Sequence, residues 1–346
     1  MYASSREAAI RPVWKMKLRV LSAADVIALL SMAECVELMD QAMRAASGGH
    51  AVMPLRAKMD LPDSGMLGWM PGQLDDPQSD APAVFGMKLV SVFEENFAVG
   101  MHSHNGVVVL FEGEHGRPFA VVDAAEITAI RTAAASALAT RLLAREDVSI
   151  LTIMGYGAQG RQHLESMLCV RNFTDIRVWG RDLGRATAFA DELGPKFGVT
   201  VQPIAEARDA VAGADVICTV TGAPEPIIFG DWLVPGQHVN AVGTSFPGRR
   251  ELDTAAVAMS RLFVDYRAGA LAQAGEFQMA RDEGAIGDDH ILGEIGEVAL
   301  GTVPGRVGSG DITLYKSLGL VVQDLVSAHH VSQRAETEGV GVVVDF

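Results

Sequence analysis

The stretch that most constrains this chain is residues 149–160, an apolar run that ends in Gly155, Gly157 and Gly160 with the spacing G-x-G-x-x-G. The run predicts a buried strand that turns into a helix. Gly155 would permit the tight turn, Gly157 the close approach of a pyrophosphate, and Gly160 the packing of helix on strand. A helical pattern over 161–170 and a second strand over 175–179 follow at the distance that a βαβ unit requires. This context favours a dinucleotide site over a structural glycine turn, with these candidate cofactor-binding residues: Gly155, Tyr156, Gly157, Ala158, Gln159 and Gly160.

The end of the second strand bears on the choice of cofactor. An acidic residue there normally meets the ribose hydroxyls, whereas an arginine nearby accommodates a 2′-phosphate. This chain has Gly180 at the acidic position, followed by Arg181, with Arg185 as a second cation. The pattern favours NADP(H), and NAD(H) remains possible: Arg181 would then be a solvated loop residue, and Asp182 would contact the ribose.

Strands and helices alternate from Val148 onward, and the strands are nearly continuous apolar runs, which predicts a doubly wound parallel sheet. We place six strands at 149–154, 176–179, 199–203, 216–220, 238–241 and 262–264, then helical segments, and a short extended piece at 312–315. Strand carboxyl ends line the nucleotide crevice in such sheets. The candidates there are Thr219, Val220, Thr221, Val242, Gly243, Thr244 and Ser245.

The residues before Val148 show a different organisation. Short strand patterns separated by turns predict an antiparallel or mixed sheet between residues 54 and 122, preceded by two helices that begin near Ser22 and Ala33. A long helix is expected from Asp123 to about Ala144. Near the carboxyl end, residues 318–335 predict a helix, and 340–344 a strand that pairs back in the first domain. Residues 1–17 form an extension to which we assign no function.

Composition excludes several classes of protein. A length of 346 residues suffices for two domains, and a formal charge of −15 argues against nucleic acid or an anionic membrane as the partner. No apolar run is long enough to span a bilayer and no signal peptide is recognisable, so a cytoplasmic protein is expected. Cys35, Cys169 and Cys218 lie far apart and indicate buried thiols rather than disulfides, and no metal site is predicted.

Three cations lie in or beside apolar elements of the first domain: Arg56, Lys88 and Arg131. A charge in such a place must be paired or must serve a ligand. For any one of them alone, an internal salt bridge is the simpler interpretation. Together, in an acidic protein, they fit a clamp for a carboxylate, which arginine binds in a bidentate manner. Lys316 is a fourth candidate.

Several motifs together resemble the ornithine cyclodeaminase/mu-crystallin family over about residues 18–335: Pro54-Leu-Arg56, Met70-Pro71, Lys88-Leu-Val, Ser103-His104-Asn105, the segment 127–134 with Arg131-Thr132, the glycine motif, 212–217, 235–243 and Lys316-Ser-Leu-Gly319. The resemblance implies a homodimer. It also implies a substrate-binding and dimerisation domain of α+β type at 18–128 and 320–346, and a Rossmann domain at 129–319. Arg56, Lys88 and Arg131 would bind a substrate carboxylate. Ser103, His104, Thr132 and Lys316 would lie near the cofactor.

Departures from the family pattern bear on the reaction. Where the ornithine enzymes look to carry three acidic groups, this chain has Ser245, Lys316 and Trp69. A diamine would then meet cations and neutral groups, an arrangement that costs energy. Lys316-Ser-Leu-Gly319 instead resembles the ketimine reductase branch.

We therefore expect an NAD(P)H-dependent reductase of an α-imino acid, with hydride passing to the imine carbon and His104, Lys88 or Lys316 as the proton donor. For His104, a histidine hydrogen-bonded in a loop is an equal alternative. Three other functions remain open: a cyclodeaminase of ornithine or lysine with bound NAD+, an enzyme of reductive amination similar to alanine dehydrogenases, and a nucleotide-gated protein that binds a small ligand without turnover.

Overall fold

In a computed structural model, which describes residues 16–62, 65–75, 83–93, 95–96 and 103–346, the strands form two eight-stranded sheets. The first sheet has the order β16-β1-β7-β6-β5-β4-β2, with β3 also paired to β4. It is mixed, as predicted, because β1 and β7 run parallel while its other pairs are antiparallel. Its strands are β1 (Lys17–Leu21), β2 (Ala51–Val52), β3 (Ala57–Asp60), β4 (Met66–Leu74), β5 (Val84–Val92), β6 (His104–Glu112), β7 (Pro118–Asp123) and the carboxyl-terminal β16 (Val342–Asp345).

Four helices pack with this sheet: α1 (Ala23–Leu29), α2 (Met32–Ser47), α3 (Ala124–Leu143) and α11 (Val321–Glu338). Side chains just before three of them fix where they begin. Ser22 and Ser31 form capping boxes at α1 and α2, and Asp123 accepts a hydrogen bond from the Glu126 N–H at 2.8 Å. Every residue from 130 to 140 in α3 is buried. The predicted boundary between residues 128 and 129 falls within this unbroken helix, so the proposed domain limits stay a prediction.

The second sheet is entirely parallel, as predicted, with the order β10-β9-β8-β11-β12-β15-β13-β14. Its strands are β8 (Ile150–Met154), β9 (Asp175–Trp179), β10 (Val201–Ile204), β11 (Val216–Thr219), β12 (His238–Ala241), β13 (Arg261–Val264), β14 (Ile291–Glu294) and β15 (Thr313–Lys316). The connecting helices are α4 (Ala158–Val170), α5 (Leu183–Phe197), α6 (Ala207–Val211), α7 (Thr254–Ala258), α8 (Arg267–Gln273), α9 (Gly275–Asp282) and α10 (Ile295–Leu300). The strand order reverses at β8, which places a crevice beside the glycine motif.

The structure corrects three expectations. Strand β14 was not predicted, because its four residues contain a glycine and show no alternation. Helix α11 begins at Val321 rather than at 318, since Gly319 has a left-handed φ of 86° that cannot continue a helix. Cys169 is exposed near the end of α4, whereas Cys35 and Cys218 are buried as expected.

None of the described helices combines the length and apolarity needed to cross a membrane. Within the described part of the chain, no group of three or more His, Cys, Asp or Glu residues is arranged to hold a metal ion.

Candidate active site

The glycine motif forms a turn suited to a pyrophosphate. Gly155 has a φ of 128°, and its N–H donates to the Trp179 carbonyl at 2.8 Å, so the chain turns sharply beside β9. A Cβ on Gly160 would overlap the Gly155 carbonyl oxygen, which explains the close packing of α4 on the turn. Gly157, the N-cap of α4, offers no side-chain acceptor to the helix N–H groups, and a Cβ there would meet nothing within 4 Å. Open space in front of unpaired helix N–H groups fits an anionic cofactor.

The motif also contains an unpaired polar group. Gln159 Oε1 is buried and has no hydrogen-bond partner among the described residues. A buried amide oxygen without a partner is costly, so a bound group that donates a hydrogen bond would stabilise it.

The end of β9 presents cations rather than an acceptor. Arg181 is exposed, and Arg185 lies with its guanidinium carbon 5.3 Å from the centre of the Tyr156 ring. Asp182 is the N-cap of α5, and its Oδ1 accepts the Arg185 N–H at 3.0 Å. This carboxylate oxygen is therefore engaged in capping, which weakens the alternative that Asp182 serves a ribose hydroxyl.

The ends of β11 and β12 are joined by a carboxylate that the sequence did not reveal. Glu251 Oε1 accepts from the Thr221 N–H at 2.7 Å and from its hydroxyl at 2.6 Å. Glu251 Oε2 accepts from the Thr219 hydroxyl and the Gly243 N–H, both at 2.8 Å. Glu251 is buried, and burial raises the pKa of its carboxyl group. One side chain thus fixes two of the loops predicted to line the nucleotide crevice.

Lys316 is held in an internal ion pair. At the end of β15 its Nζ lies 2.9 Å from Glu276 Oε2 and donates to the Thr244 carbonyl oxygen, with only 1% of the residue exposed. Glu276 Oε1 in turn accepts from the Thr244 hydroxyl at 2.6 Å and from the Glu251 N–H at 3.1 Å. Because Glu276 neutralises this ammonium group, Lys316 does not present the free cation that the sequence suggested.

Lys88 and Arg131 meet on one buried carboxylate. Lys88 Nζ on β5 lies 3.0 Å from Asp324 Oδ1 on α11, and Arg131 Nε on α3 donates to the same oxygen at 3.1 Å. Lys88 also donates to the Thr128 hydroxyl at 2.6 Å, and Arg131 Nη1 donates to Gln323 Oε1 at 2.9 Å. Burial lowers the pKa of Lys88 to about 8, although Asp324 opposes that shift.

The cluster of Lys88, Arg131 and Asp324 has an excess of positive charge. It contains two cations and one carboxylate, and the three side chains are at most 6% exposed. Asp324 Oδ2 is buried and has no hydrogen-bond partner among the described residues. Asp324 balances only one of the two cations. Because an unbalanced buried charge is costly, an anion that contacts Lys88 or Arg131 would be bound favourably.

Arg56 lies at the junction of the two sheets. Its guanidinium group contacts Gln273 and the Ser245 carbonyl, and it lies 5.5 Å from the centre of the Phe246 ring. A small cavity of about 40 Å³ borders Arg56, Asp265 and Gly319. A Cβ on Gly319 would lie 2.5 Å from Arg131 Nη1. Gly319 therefore lies between Arg131 and the cavity that Arg56 borders. Burial and the nearby charge of Arg131 both lower the pKa of Arg56, so Arg56 lies close to the pair of cations that share Asp324.

Asp265 is a further acidic residue that we did not predict. It follows β13 directly, is buried, and accepts from the N–H groups of Leu318 and Gly319 at 2.7 and 2.5 Å. Burial raises the pKa of this carboxyl group. Its contacts hold the turn that leads into α11. An acidic residue at the end of an apolar strand was a signal that could have identified it.

The structure does not place His104 beside the clamp. Ser103 is buried with its Oγ 2.8 Å from His104 Nδ1, and His104 is exposed at the start of β6. Lys88 pairs with Val108 on β6, and Val108 lies four residues beyond His104. The two positions on β6 are therefore about 13 Å apart along the strand. Thr132 is buried on α3 next to Arg131. The cofactor contacts of Ser103, His104 and Thr132 stay predictions.

Known proteins resemble this chain in sequence and in fold. The structure is similar to that of Thermococcus litoralis Delta(1)-pyrroline-2-carboxylate reductase in complex with NADH and L-proline, with a TM-score of 0.90, 34% identity, and coverage of 94% of this chain and 99% of that one. It is also similar to an archaeal alanine dehydrogenase dimer with bound NAD, with a TM-score of 0.88, 30% identity, and coverage of 96% and 100%. The ketimine reductase mu-crystallin of Mus musculus is 38% identical over 281 residues, which are 81% of this chain and 84% of that protein. The model of the ornithine cyclodeaminase/mu-crystallin family matches residues 16–339, and the chain belongs to that family.

Proposed function

We propose that this protein is an NAD(P)H-dependent reductase that converts an α-imino acid, such as a pyrroline- or piperideine-2-carboxylate, to the L-amino acid. The observation that carries the proposal is the buried cluster in which Lys88 and Arg131 share Asp324 and keep one excess positive charge. A substrate carboxylate would balance that charge. Relatives named as a Delta(1)-pyrroline-2-carboxylate reductase and a ketimine reductase support the same reaction.

In this proposal Arg131, Lys88 and Arg56 bind the carboxylate. Arg131 uses Nε and Nη1 to hold Asp324 and Gln323, which fixes the plane of its guanidinium group. A fixed plane favours bidentate binding of a planar carboxylate and reduces the entropy lost on binding.

We assign the role of proton donor to Lys88. With a pKa of about 8, its ammonium group is protonated at neutral pH yet can release a proton, and an imine accepts hydride more readily when its nitrogen is protonated. Lys316 is a poorer candidate because it has Glu276 as its own counter-ion, whereas Lys88 shares Asp324 with Arg131. A reduced nicotinamide, when bound, supplies the hydride. The turn at Gly155 and the loops fixed by Glu251 would hold that cofactor in the crevice.

We also propose a preference for NADP(H). Arg181 and Arg185 flank the end of β9, where a ribose 2′-phosphate would lie, and Asp182 caps α5. A homodimer is proposed as well, since an archaeal relative is described as a dimer. Light scattering on the protein as it elutes from a size-exclusion column should then give about twice the mass of one chain.

A spectrophotometric screen tests the proposed reaction. Cyclic imino acids are offered with NADPH and with NADH, and an ammonia assay on ornithine and lysine runs beside it. Stoichiometric consumption of reduced nicotinamide with an imino acid is the expected result. Ammonia release from a diamine without net consumption would establish cyclodeamination instead, and binding of imino acids without turnover would establish a binding protein.

A further inference from the structure

The ring of Tyr156 occupies the space beside Gly180. A Cβ built on Gly180 would overlap Cε1 and Cδ1 of the Tyr156 ring and would lie 3.1 Å from its Cζ. Gly180 is not among the glycines with positive φ, so its backbone conformation is open to any residue. The aromatic ring, and not the backbone, is therefore what leaves no room for a side chain at position 180.

The same ring supports a cation. The guanidinium carbon of Arg185 lies 5.3 Å from the centre of the Tyr156 ring, within the range of a cation–π interaction. Arg185 is exposed in the first turn of α5, and such a side chain would otherwise sample many rotamers. Contact with the ring restricts Arg185 to the side of α5 that faces the glycine motif.

We propose that Tyr156 determines the nucleotide selectivity of this chain. Its ring takes the place of the ribose-binding carboxylate that position 180 would carry in an NAD site, and it holds Arg185 where a ribose 2′-phosphate binds. The inference rests on the proposed use of NADP(H). The ligand class is a nucleotide with a phosphate on the ribose 2′ oxygen.

Calorimetry with 2′,5′-ADP and with 5′-AMP measures how much the 2′-phosphate contributes to affinity, because the two nucleotides differ only in that phosphate. Tyr156→Ala should weaken the binding of 2′,5′-ADP about two- to fivefold more than that of 5′-AMP, the factor expected for an exposed cation–π contact. Arg185→Ala should produce a loss at least as large. Tyr156→Phe keeps the ring and should retain the preference for 2′,5′-ADP over 5′-AMP.

Lys196→Ala is the matched control. Lys196 lies on the same helix with its Nζ 4.9 Å from the centre of the Phe197 ring, but at the opposite end of α5 from Arg185. Its removal should leave the affinity for 2′,5′-ADP unchanged. An equal loss of 5′-AMP and 2′,5′-ADP in Tyr156→Ala, or no loss of either, would overturn the proposal.

A second pair of variants tests whether the Tyr156 ring excludes a side chain at position 180. Gly180→Asp in the Tyr156→Ala background should increase the affinity for NADH relative to NADPH by about tenfold or more, because the new carboxylate then has space to reach a ribose hydroxyl. With the ring retained, Gly180→Asp should weaken both cofactors. Equal NADH binding by the single and double variants would show that the ring excludes nothing.

The same measurements distinguish a failure of the proposed NADP(H) preference from a failure of the role given to Tyr156. If the parent protein binds 2′,5′-ADP no better than 5′-AMP, the proposed NADP(H) preference is wrong. If it does prefer 2′,5′-ADP but Tyr156→Ala retains that preference, only the role of Tyr156 is wrong.

Discussion

Asp324 is the residue on which the proposed substrate site depends most directly. A single oxygen, Oδ1, accepts from Lys88 and Arg131, and the residue is fully buried. Its negative charge raises the pKa of Lys88, whereas burial and the charge of Arg131 lower it. The balance places that pKa at about 8, close to the pH at which a donor both holds and releases a proton effectively.

The pH dependence of catalysis follows from this balance. In the proposed mechanism only protonated Lys88 binds the carboxylate and donates a proton, so kcat/KM should fall about tenfold per pH unit above a pH of about 8. In Asp324→Asn the opposing charge is lost, the pKa of Lys88 falls further, and the decline should begin at a lower pH. Initial rates between pH 6 and 10 measure both profiles.

Asp60→Asn is the control for that experiment, because Asp60 also pairs with a lysine, Lys58, but on an exposed strand. Its pH profile should match that of the parent protein. A rate for the parent protein that stays constant up to pH 10 would contradict the role given to Lys88.

At the scale of elements, the crevice is formed by strand ends that a few buried acids join. Glu251 fixes the ends of β11 and β12, and Glu276 links that acid to β15 through Lys316. Asp265 holds the turn between β15 and α11. These carboxylates accept hydrogen bonds from loop N–H groups and hydroxyls and so determine where those groups point.

Loss of the Glu251 charge should therefore affect cofactor binding. In Glu251→Gln one oxygen becomes an amide that cannot accept, which leaves either the Thr221 or the Gly243 N–H unpaired and costs about 1–3 kcal/mol. We expect a lower melting temperature and at least fivefold weaker binding of NADPH, as measured by calorimetry. Glu283→Gln, at an exposed acid bonded to Arg250 and Thr254, should change neither quantity. Unchanged NADPH affinity in Glu251→Gln would separate this carboxylate from the cofactor site.

The elements that could be predicted from the sequence are those whose ends are marked by residues close to them in the chain. Ser22, Ser31 and Asp123 begin helices through hydrogen bonds to residues three positions ahead, and the turn at Gly155 has a local spacing. The clamp cations were identified because a charge within an apolar element is unusual. Asp324 was missed because an acid in the first turn of a helix is ordinary, and only the packing of α11 on β5 and α3 shows that it is buried. Glu251 and Glu276 were missed since their partners are distant in sequence.

At the scale of the whole molecule, α3 connects the two sheets through buried polar side chains. His163 on α4 has its Nε2 3.0 Å from the Ser136 hydroxyl of α3. His238 Nε2 lies 3.2 Å from Asn240 Oδ1, and the Asn240 amide donates to the Thr140 hydroxyl of α3 at 2.9 Å. Burial lowers the pKa of His163 to about 4 and that of His238 to about 3. Both rings are therefore neutral in the folded protein near neutral pH.

The protein should lose stability in acid for this reason. The unfolded chain protonates these histidines near pH 6.5, whereas the folded chain resists protonation until about pH 4, so the free energy of unfolding falls as pH falls through that window. For His163 alone the loss between pH 7 and pH 5 is about 2 kcal/mol. Urea denaturation at the two pH values measures it. His163→Gln should show a smaller difference between them, and an equal difference would assign the acid sensitivity to other groups.

The most direct test of the proposed function is the Arg131→Ala variant, assayed with Delta(1)-pyrroline-2-carboxylate and, separately, for NADPH binding by calorimetry. Arg131 belongs to the cluster that would bind the carboxylate, so its loss should lower kcat/KM by about a hundredfold or more. The dissociation constant of NADPH should stay within about twofold, because the glycine turn and the loops fixed by Glu251 are unchanged. Imine reduction at the parent rate, or loss of NADPH binding in step with activity, would contradict the assignment of this cluster as the substrate site.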